Sequence, residues 1–154
     1  MKPRFNYANV APDVYGAMDP LDQYVAGCGL EESLLHLVRL RASQVNGCAY
    51  CIDMHWKDLR ALDESEQRLY SLDAWHESPF YSERERAALE WTEAVTLIHT
   101  GHAADAAYAS VSGHFTEREL ADLTCVIATI NAWNRLSIAA RLVPGGYQAT
   151  IAAH

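Results

Sequence analysis

Long apolar runs are missing from this sequence of 154 residues. No stretch approaches the ~18 consecutive apolar residues that a membrane-spanning helix needs. Residues 1–7, MKPRFNY, lack the apolar run of a secretory signal peptide. These absences predict a cytoplasmic protein that does not partner a membrane.

Positive charge is scarce and dispersed. The chain has 12 Lys and Arg residues against 20 Asp and Glu residues, which gives a formal net charge of −8. The basic residues alternate with acidic ones, as in residues 83–86, ERER. Nucleic-acid affinity depends largely on clustered positive charge that displaces counterions from phosphates. The composition therefore predicts no nucleic-acid partner.

Strand signals are absent as well, because no segment combines sustained alternation with Asn-Gly or Asp-Gly turns. Helix signals follow one another instead: apolar residues recur at spacings of three, four and seven, and Ser82 and Thr116 each precede a Glu by three residues. We therefore predict an all-α fold of six to seven helices. The predicted helices cover residues 21–28, 31–46, 49–61, 64–75, 82–99, 103–112 and 116–142.

The distribution of proline suggests how the chain is organised. Residues 1–20 hold three of the five prolines and show little helical periodicity, so they predict an irregular N-terminal arm. Residues 21–142 then form a single helical domain. Pro144 and the two glycines after it begin a C-terminal tail, residues 143–154.

The chemistry is concentrated in residues 48–55, CAYCIDMH. Two thiols three residues apart at the start of a helix can form a disulfide, and the helix N-terminus favours a thiolate over a thiol. His55 lies four residues after Cys51, on the same helix face, where it can accept the thiol proton. Its position favours Cys51 as the attacking thiol, whereas the helix N-terminus favours Cys48, and the sequence leaves both open.

Other roles for these residues are weaker. A zinc site needs more ligands, and the spacing of Cys28 and His36 relative to the motif matches no common zinc module. A thioredoxin-like site would need a strand before Cys48. Two unreactive core cysteines fit poorly beside the polar residues Ser43, Gln44 and Asn46. Cys28 and Cys125 are isolated in apolar contexts and predict buried packing.

Three segments carry a family resemblance. Residues 37–51, LVRLRASQVNGCAYC, followed by His55, closely resemble the AhpD-like alkylhydroperoxidases of the carboxymuconolactone decarboxylase superfamily. Residues 85–94, ERAALEWTEA, and 130–135, INAWNR, are also similar to family segments. The likeness extends over roughly residues 20–142.

The resemblance implies an all-helical fold that reduces hydroperoxides through the cysteine pair. It implies that Cys51 attacks and becomes a sulfenic acid, that Cys48 resolves it to a disulfide, and that His55 manages protons. A dithiol reductant, lipoamide-like in the best-known members, would restore the pair, and no haem, flavin or metal is implied. Assembly into a homotrimer or homohexamer is also implied.

One position departs from the family pattern. Members with an assigned proton relay carry a glutamate twelve residues before the first cysteine, where this chain has His36. A turn at Gly47 would let His36 reach His55 or Cys51, directly or through a water. Two coupled imidazoles there are predicted to titrate near neutrality. The alternative for His36 is simple packing between two leucines.

Two other functions compete with the peroxidase. A lactone decarboxylase is suggested by the superfamily name, but such enzymes do not rely on a CxxC pair. A non-catalytic redox sensor or helical assembly protein would use the same disulfide only to report oxidant. Turnover with a dithiol would distinguish the enzyme from the sensor.

Overall fold

The computed structural model describes residues 2–149, and within that range the chain is helical without any strand, which confirms the predicted all-α fold. Nine α-helices replace the six to seven predicted, because the four-residue helices are too short to show a period. The helices are α1 (Tyr7–Val10), α2 (Pro12–Ala26), α3 (Glu32–Asn46), α4 (Ala49–Ala61), α5 (Glu66–Ser71), α6 (Glu83–Thr96), α7 (Ile98–Gly101), α8 (Asp105–Ser112) and α9 (Glu117–Ala140), with a 3₁₀ helix at Leu72–Ala74.

The prediction of an irregular arm over residues 1–20 is wrong for its helical part. Helix α2 begins at Pro12, where proline fits because the first helical N–H needs no partner, and it continues through Pro20. Pro20 removes one hydrogen bond to the carbonyl of Gly16, but both residues are exposed, so water can satisfy that oxygen. The division of the chain at residue 20 itself stays a prediction.

The α3–α4 hairpin places the cysteine motif. Helix α3 ends at Gly47, which adopts the left-handed conformation (φ 69°, ψ 31°) that glycine accepts without strain. The N–H of Cys48 then donates to the carbonyl of Ser43, 2.9 Å away, and α4 starts at Ala49 as predicted. This turn lays α4 alongside α3.

Helix starts elsewhere follow local side-chain chemistry. Ser82 with Glu85 and Thr116 with Glu119 both form complete capping boxes, as predicted for α6 and α9. The helix predicted over residues 64–75 instead begins at Glu66, where Ser65 accepts the N–H of Arg68, and becomes a 3₁₀ helix after Ser71. The predicted 82–99 helix is divided into α6 and α7.

Helix α3 occupies the centre of the fold and packs against α4, α6 and α9. Its leucines and valine meet residues of α6 and α9 in one buried cluster, while a second cluster joins α3 to α4, α5 and α6. Fully buried Leu37, Val38 and Leu40 leave α3 little freedom to shift. The helix pair that carries the site is therefore set in a rigid frame.

The described part of the predicted tail, residues 143–149, crosses the surface of α4. The N–H of Gly145 donates to Asp53, and Lys57 Nζ donates to the carbonyl of Tyr147, 3.0 Å away. Residues 150–154 of the predicted tail lie outside the described residues. None of the described helices is both long enough and apolar enough to cross a membrane.

Candidate active site

The two cysteines of the motif meet at the start of α4. Cys48 is the N-cap residue and Cys51 lies in the first turn; each is only 1 % exposed. Their Sγ atoms are 2.7 Å apart, and both residues are reduced. A disulfide therefore needs only a small contraction of the pair and no displacement of the backbone.

The two thiols differ in acidity. A hydrogen bond from the Cys51 thiol lowers the pKa of Cys48 from 9.0 to about 7. The same bond, in which Cys51 keeps the proton, raises the pKa of Cys51, and burial adds to the rise. The pair thus releases one proton near neutrality and retains the second, since a buried site resists two adjacent negative charges.

A cavity of about 400 Å³ opens beside Cys51. Both cysteines belong to a buried cluster with Ala42 and Ile130, but only Cys51 also lines the cavity. About half of the other wall residues are apolar or aromatic, and the rest are polar. The apolar wall residues are Tyr15, Tyr50, Met54, Ile130, Trp133, Leu142 and Tyr147, and the polar ones are Asp22, His36, Arg39, His55, Asp58 and Ser137.

His36 and His55 meet on this cavity wall, as the turn at Gly47 predicted. Their Nδ1 atoms are 3.5 Å apart, and Asp58 Oδ2 lies 3.4 Å from that of His36 and 3.3 Å from that of His55. The other carboxylate oxygen of Asp58 accepts a hydrogen bond of 2.6 Å from the Tyr147 hydroxyl. Two helices and the C-terminal segment therefore supply one compact group.

The prediction that the two imidazoles titrate near neutrality is wrong. Burial and, to a smaller extent, the neighbouring His55 lower the pKa of His36 from 6.5 to about 4. Burial also lowers the pKa of His55. Burial acts to raise the pKa of Asp58, but contacts with His55 and Tyr147 outweigh it and hold that pKa below its usual value. At neutral pH the group consists of two neutral imidazoles and one carboxylate.

His55 does not hydrogen-bond to Cys51 in the structure. Its Nδ1 faces Asp58 and His36, while its Nε2 is buried without a hydrogen-bond partner among the described residues. From α9, Ser137 contacts Cys51 instead, with its Oγ 3.7 Å from Sγ. A direct transfer of the thiol proton to His55, which the helix spacing suggested, therefore needs a bridging molecule.

Buried polar side chains hold the base of the site. Asn134 of α9 donates to Ser43 Oγ at 3.0 Å and accepts from Asn46 at 2.8 Å. Hydrogen bonds from Asn134 and Ser137 also act to lower the pKa of Cys48. These contacts join α9 to the end of α3 and fix the position of the cysteine turn.

Sequence reasoning missed several residues of the site. Asp58 was detectable, since it follows His55 by three residues and so shares its helix face. Arg39, whose Nη2 is buried without a partner among the described residues, lies three residues after His36. Tyr147 gave no signal, because it reaches the site from a segment 89 residues away from Asp58.

Cys28 and Cys125 lie away from this site. Both are partly buried rather than fully buried, and they pack against the edge of the main core cluster. The structure therefore leaves them the packing role expected of isolated cysteines, at its periphery.

Comparisons with known proteins agree with the fold. The carboxymuconolactone decarboxylase family matches residues 12–94. The uncharacterized protein YdfG of Bacillus subtilis is 42 % identical over 139 residues, which cover 90 % of this chain and 95 % of that protein. The family match begins at residue 12, inside the region predicted to be an arm.

Solved structures extend the comparison. The crystal structure of a protein of unknown function from Agrobacterium tumefaciens that carries the AhpD name is 42 % identical, with a TM-score of 0.92 and coverage of 95 % of this chain and 100 % of that one. An uncharacterized peroxidase-related protein from Ralstonia eutropha, described as an alkylhydroperoxidase AhpD core, shares 20 % identity at a TM-score of 0.77, covering 88 % of this chain and 73 % of that one. With its helical fold and its matched cysteine motif, the chain belongs to the carboxymuconolactone decarboxylase family, as an AhpD-like member.

Proposed function

We propose that the protein is a thiol-dependent peroxidase that reduces organic hydroperoxides with Cys51 and Cys48. The observation that carries the proposal is the pair of sulfur atoms 2.7 Å apart, one of them on the wall of a cavity. The family link to alkylhydroperoxidases supports the same reaction.

Cys51 is the attacking residue because it lies on the cavity wall. Its thiol proton moves to the neighbouring Cys48 thiolate, which leaves the negative charge on Cys51, the cysteine that lines the cavity. The Cys51 thiolate attacks the terminal oxygen of the hydroperoxide, and the O–O bond breaks. The alkoxide leaves as an alcohol with the proton that Cys48 had accepted, so that Cys48 is again a thiolate. Cys51 is then a sulfenic acid.

Cys48, which does not line the cavity, completes the reaction as the resolving thiol. Its thiolate attacks the Cys51 sulfenic acid, a disulfide forms, and hydroxide leaves with a proton as water. An external dithiol reduces the disulfide, and two thiols return as the reductant becomes a disulfide. The 2.7 Å separation favours this resolving step over further oxidation of Cys51.

His55 is proposed to assist the departure of the alkoxide leaving group. Its Nε2 is buried without a partner among the described residues, and an unpaired buried polar atom calls for a role. A hydroperoxide in the cavity offers oxygens that can bridge Cys51 and this nitrogen. His36 and Asp58 contact the opposite side of the ring and hold it in position.

The cavity favours an organic hydroperoxide over hydrogen peroxide. A volume of about 400 Å³ is in the range of small-molecule sites, and aromatic and aliphatic side chains form much of its wall. Burial of an alkyl or aryl group against these side chains contributes roughly 25 cal/mol per Å² of apolar surface.

Steady-state turnover tests the proposal. Cumene hydroperoxide with a dithiol such as dihydrolipoamide should be consumed continuously, and Cys51→Ser should abolish consumption. Cys48→Ser should form the sulfenic acid once and then stop. Cys28→Ser, as the matched control, should leave the rate unchanged.

Two outcomes would contradict the peroxidase. A single oxidation per chain in the wild-type protein, with no turnover in any dithiol, would instead favour a redox sensor. Continuous turnover in Cys51→Ser would show that the reaction does not use the proposed sulfur.

A further inference from the structure

We propose that His36, His55 and Asp58 form a tetrahedral site for a divalent transition-metal ion of the Zn²⁺ type, with the fourth position open to the cavity. The site goes beyond the proposed peroxidase and beyond the resemblance, which implies no metal. The three side chains offer one ligand atom each, and these atoms lie within 4.8 Å of one another.

The distances between the ligand atoms fit a shared metal better than direct hydrogen bonds. The three separations are 3.3, 3.4 and 3.5 Å. Hydrogen bonds from an imidazole N–H to a carboxylate are shorter, about 2.7 to 3.2 Å. Ligands about 2.0 to 2.1 Å from a tetrahedral zinc ion lie about 3.3 to 3.4 Å apart. An ion near the centre of this triangle would have ordinary bond lengths to all three residues.

The types of donor narrow the choice of metal. Two imidazole nitrogens and one carboxylate suit Zn²⁺ and its neighbours in the first transition row, whereas Mg²⁺ and Ca²⁺ prefer oxygen ligands. Octahedral ligands at about 2.0 to 2.1 Å would lie about 2.9 Å apart, closer than any pair here. Three protein ligands and one open position are typical of a zinc site that accepts water or substrate.

The surrounding charges permit a cation. At neutral pH the group holds one negative charge, with both imidazoles neutral because burial lowers the pKa of each. Binding would therefore release few protons. Arg39 is the positive group nearby; burial lowers its pKa, and Asp22, a second carboxylate on the cavity wall, favours its charged form and offsets its charge.

The ligands are held in place before any ion arrives. His36 comes from α3, His55 and Asp58 come from successive turns of α4, and buried leucines fix these two helices against each other. The Tyr147 hydroxyl holds the second oxygen of Asp58, which is the kind of outer contact that orients a ligating carboxylate. Little conformational entropy would be lost on binding.

Metal binding would also affect His55 as a proton carrier. An ion on Nδ1 leaves the ring proton on Nε2, so that atom becomes a donor toward the cavity rather than an acceptor. The two proposals share this residue but fail separately. The peroxidase depends on Cys51 and Cys48, whereas the metal site uses neither sulfur.

Cobalt binding to the full-length chain tests the site. The double variant Cys48→Ser/Cys51→Ser, without an affinity tag, is titrated with Co²⁺ and followed by visible absorption. We expect one Co²⁺ per chain with the intense bands of tetrahedral coordination. Adding His36→Ala or Asp58→Asn should weaken binding at least about 100-fold, and Tyr147→Phe about 10-fold, as for outer-shell contacts.

Controls separate this site from other histidines and from misfolding. His99→Ala changes an exposed histidine outside the group and should bind Co²⁺ like its parent. Circular dichroism checks that each variant keeps its helices, and Zn²⁺ should raise the melting temperature of the parent but not of Asp58→Asn. The proposal is overturned if the double variant binds Co²⁺ no better than its His36→Ala derivative, or shows only octahedral bands.

Discussion

Cys51 lines the cavity and Cys48 does not, although their Sγ atoms are only 2.7 Å apart and both residues lie in one buried cluster. This arrangement divides two chemical requirements between two residues. Cys51 provides the contact with the cavity, and Cys48 provides the more acidic thiol, because its pKa is lowered to about 7. The sequence left the choice of attacking thiol open because helix position and distance to His55 favoured different residues. The two arguments are compatible because the two sulfurs share one proton, which moves from Cys51 to Cys48 before Cys51 attacks.

Mild oxidation should link Cys48 to Cys51. Their separation of 2.7 Å requires little movement for bond formation, so one equivalent of hydroperoxide should remove two hydrogens from the peptide that contains both. Mass spectrometry after digestion without reductant measures this loss. A linkage that involves Cys28 or Cys125 would contradict the assignment.

The thiolate of Cys48 should form with a midpoint near pH 7. Because the folded pKa lies below the ordinary value of 9.0, the thiolate predominates above pH 7 and is lost as the pH falls through that value. Ultraviolet thiolate absorbance in a Cys28→Ser/Cys125→Ser background measures the curve. Cys51→Ala removes the hydrogen-bond donor and should move the midpoint upward; an unchanged midpoint would refute the role given to Cys51.

Replacement of His36 should slow the chemistry without changing the acidity of the cysteines. His36 contacts His55 but neither sulfur, so His36→Ala should reduce the single-turnover rate of Cys51 oxidation about 10-fold. Direct loss of an acid–base group would lower the rate more, by about 10² to 10⁴-fold. Stopped-flow measurement of sulfenic acid formation gives the rate, with His99→Ala as control. An equal rate in His36→Ala would indicate that His36 only packs.

The capping box of α9 should contribute measurably to stability. Thr116 accepts the N–H of Glu119, and the Glu119 carboxylate accepts the N–H of Thr116 in return. Thr116→Ala should lower the free energy of unfolding in urea by about 1 kcal/mol. Exposed Ser33, in the first turn of α3, provides the control, since Ser33→Ala should change stability by less than about 0.5 kcal/mol. Equal effects of the two substitutions would contradict the capping role.

The chain should assemble into a homotrimer or homohexamer. Several large apolar side chains are exposed in the single chain, among them Val10 at 65 %, Tyr70 at 72 % and Ile98 at 52 %. Their burial between copies would remove apolar surface from water. Light scattering at micromolar concentration measures the mass, and a particle of 17.2 kDa would contradict the prediction.

The parts of the fold that depend on neighbouring residues were predictable from the sequence. Gly47 and the two capping boxes gave α3, α4, α6 and α9 nearly their observed limits, because glycine conformation and cap chemistry act within one turn. Helix α2 was predicted only for its second half, within residues 21–28, because Pro12 and Pro20 were taken as signs of irregular chain.

The candidate site likewise has residues that were predictable from the sequence and properties that were not. Cys48, Cys51 and His55 were recognisable from their spacing, and His36 from a single turn between two helices. The lowered pKa values of the two histidines were not predictable, because they depend on burial by the whole fold, which sequence spacing does not report. Tyr147 was not either, since its contact with Asp58 arises only when the C-terminal segment returns across α4.

That return has a practical consequence for anyone who expresses the protein. Gly145 and Tyr147 fasten the C-terminal segment to three residues of α4, Asp53, Lys57 and Asp58, so cavity shape depends on chain that follows the last helix. A truncation after α9 would open one wall of the cavity while leaving the helical core intact. Preparations shortened there would fold yet lose ligand affinity, and an affinity tag is better fused to the N-terminus.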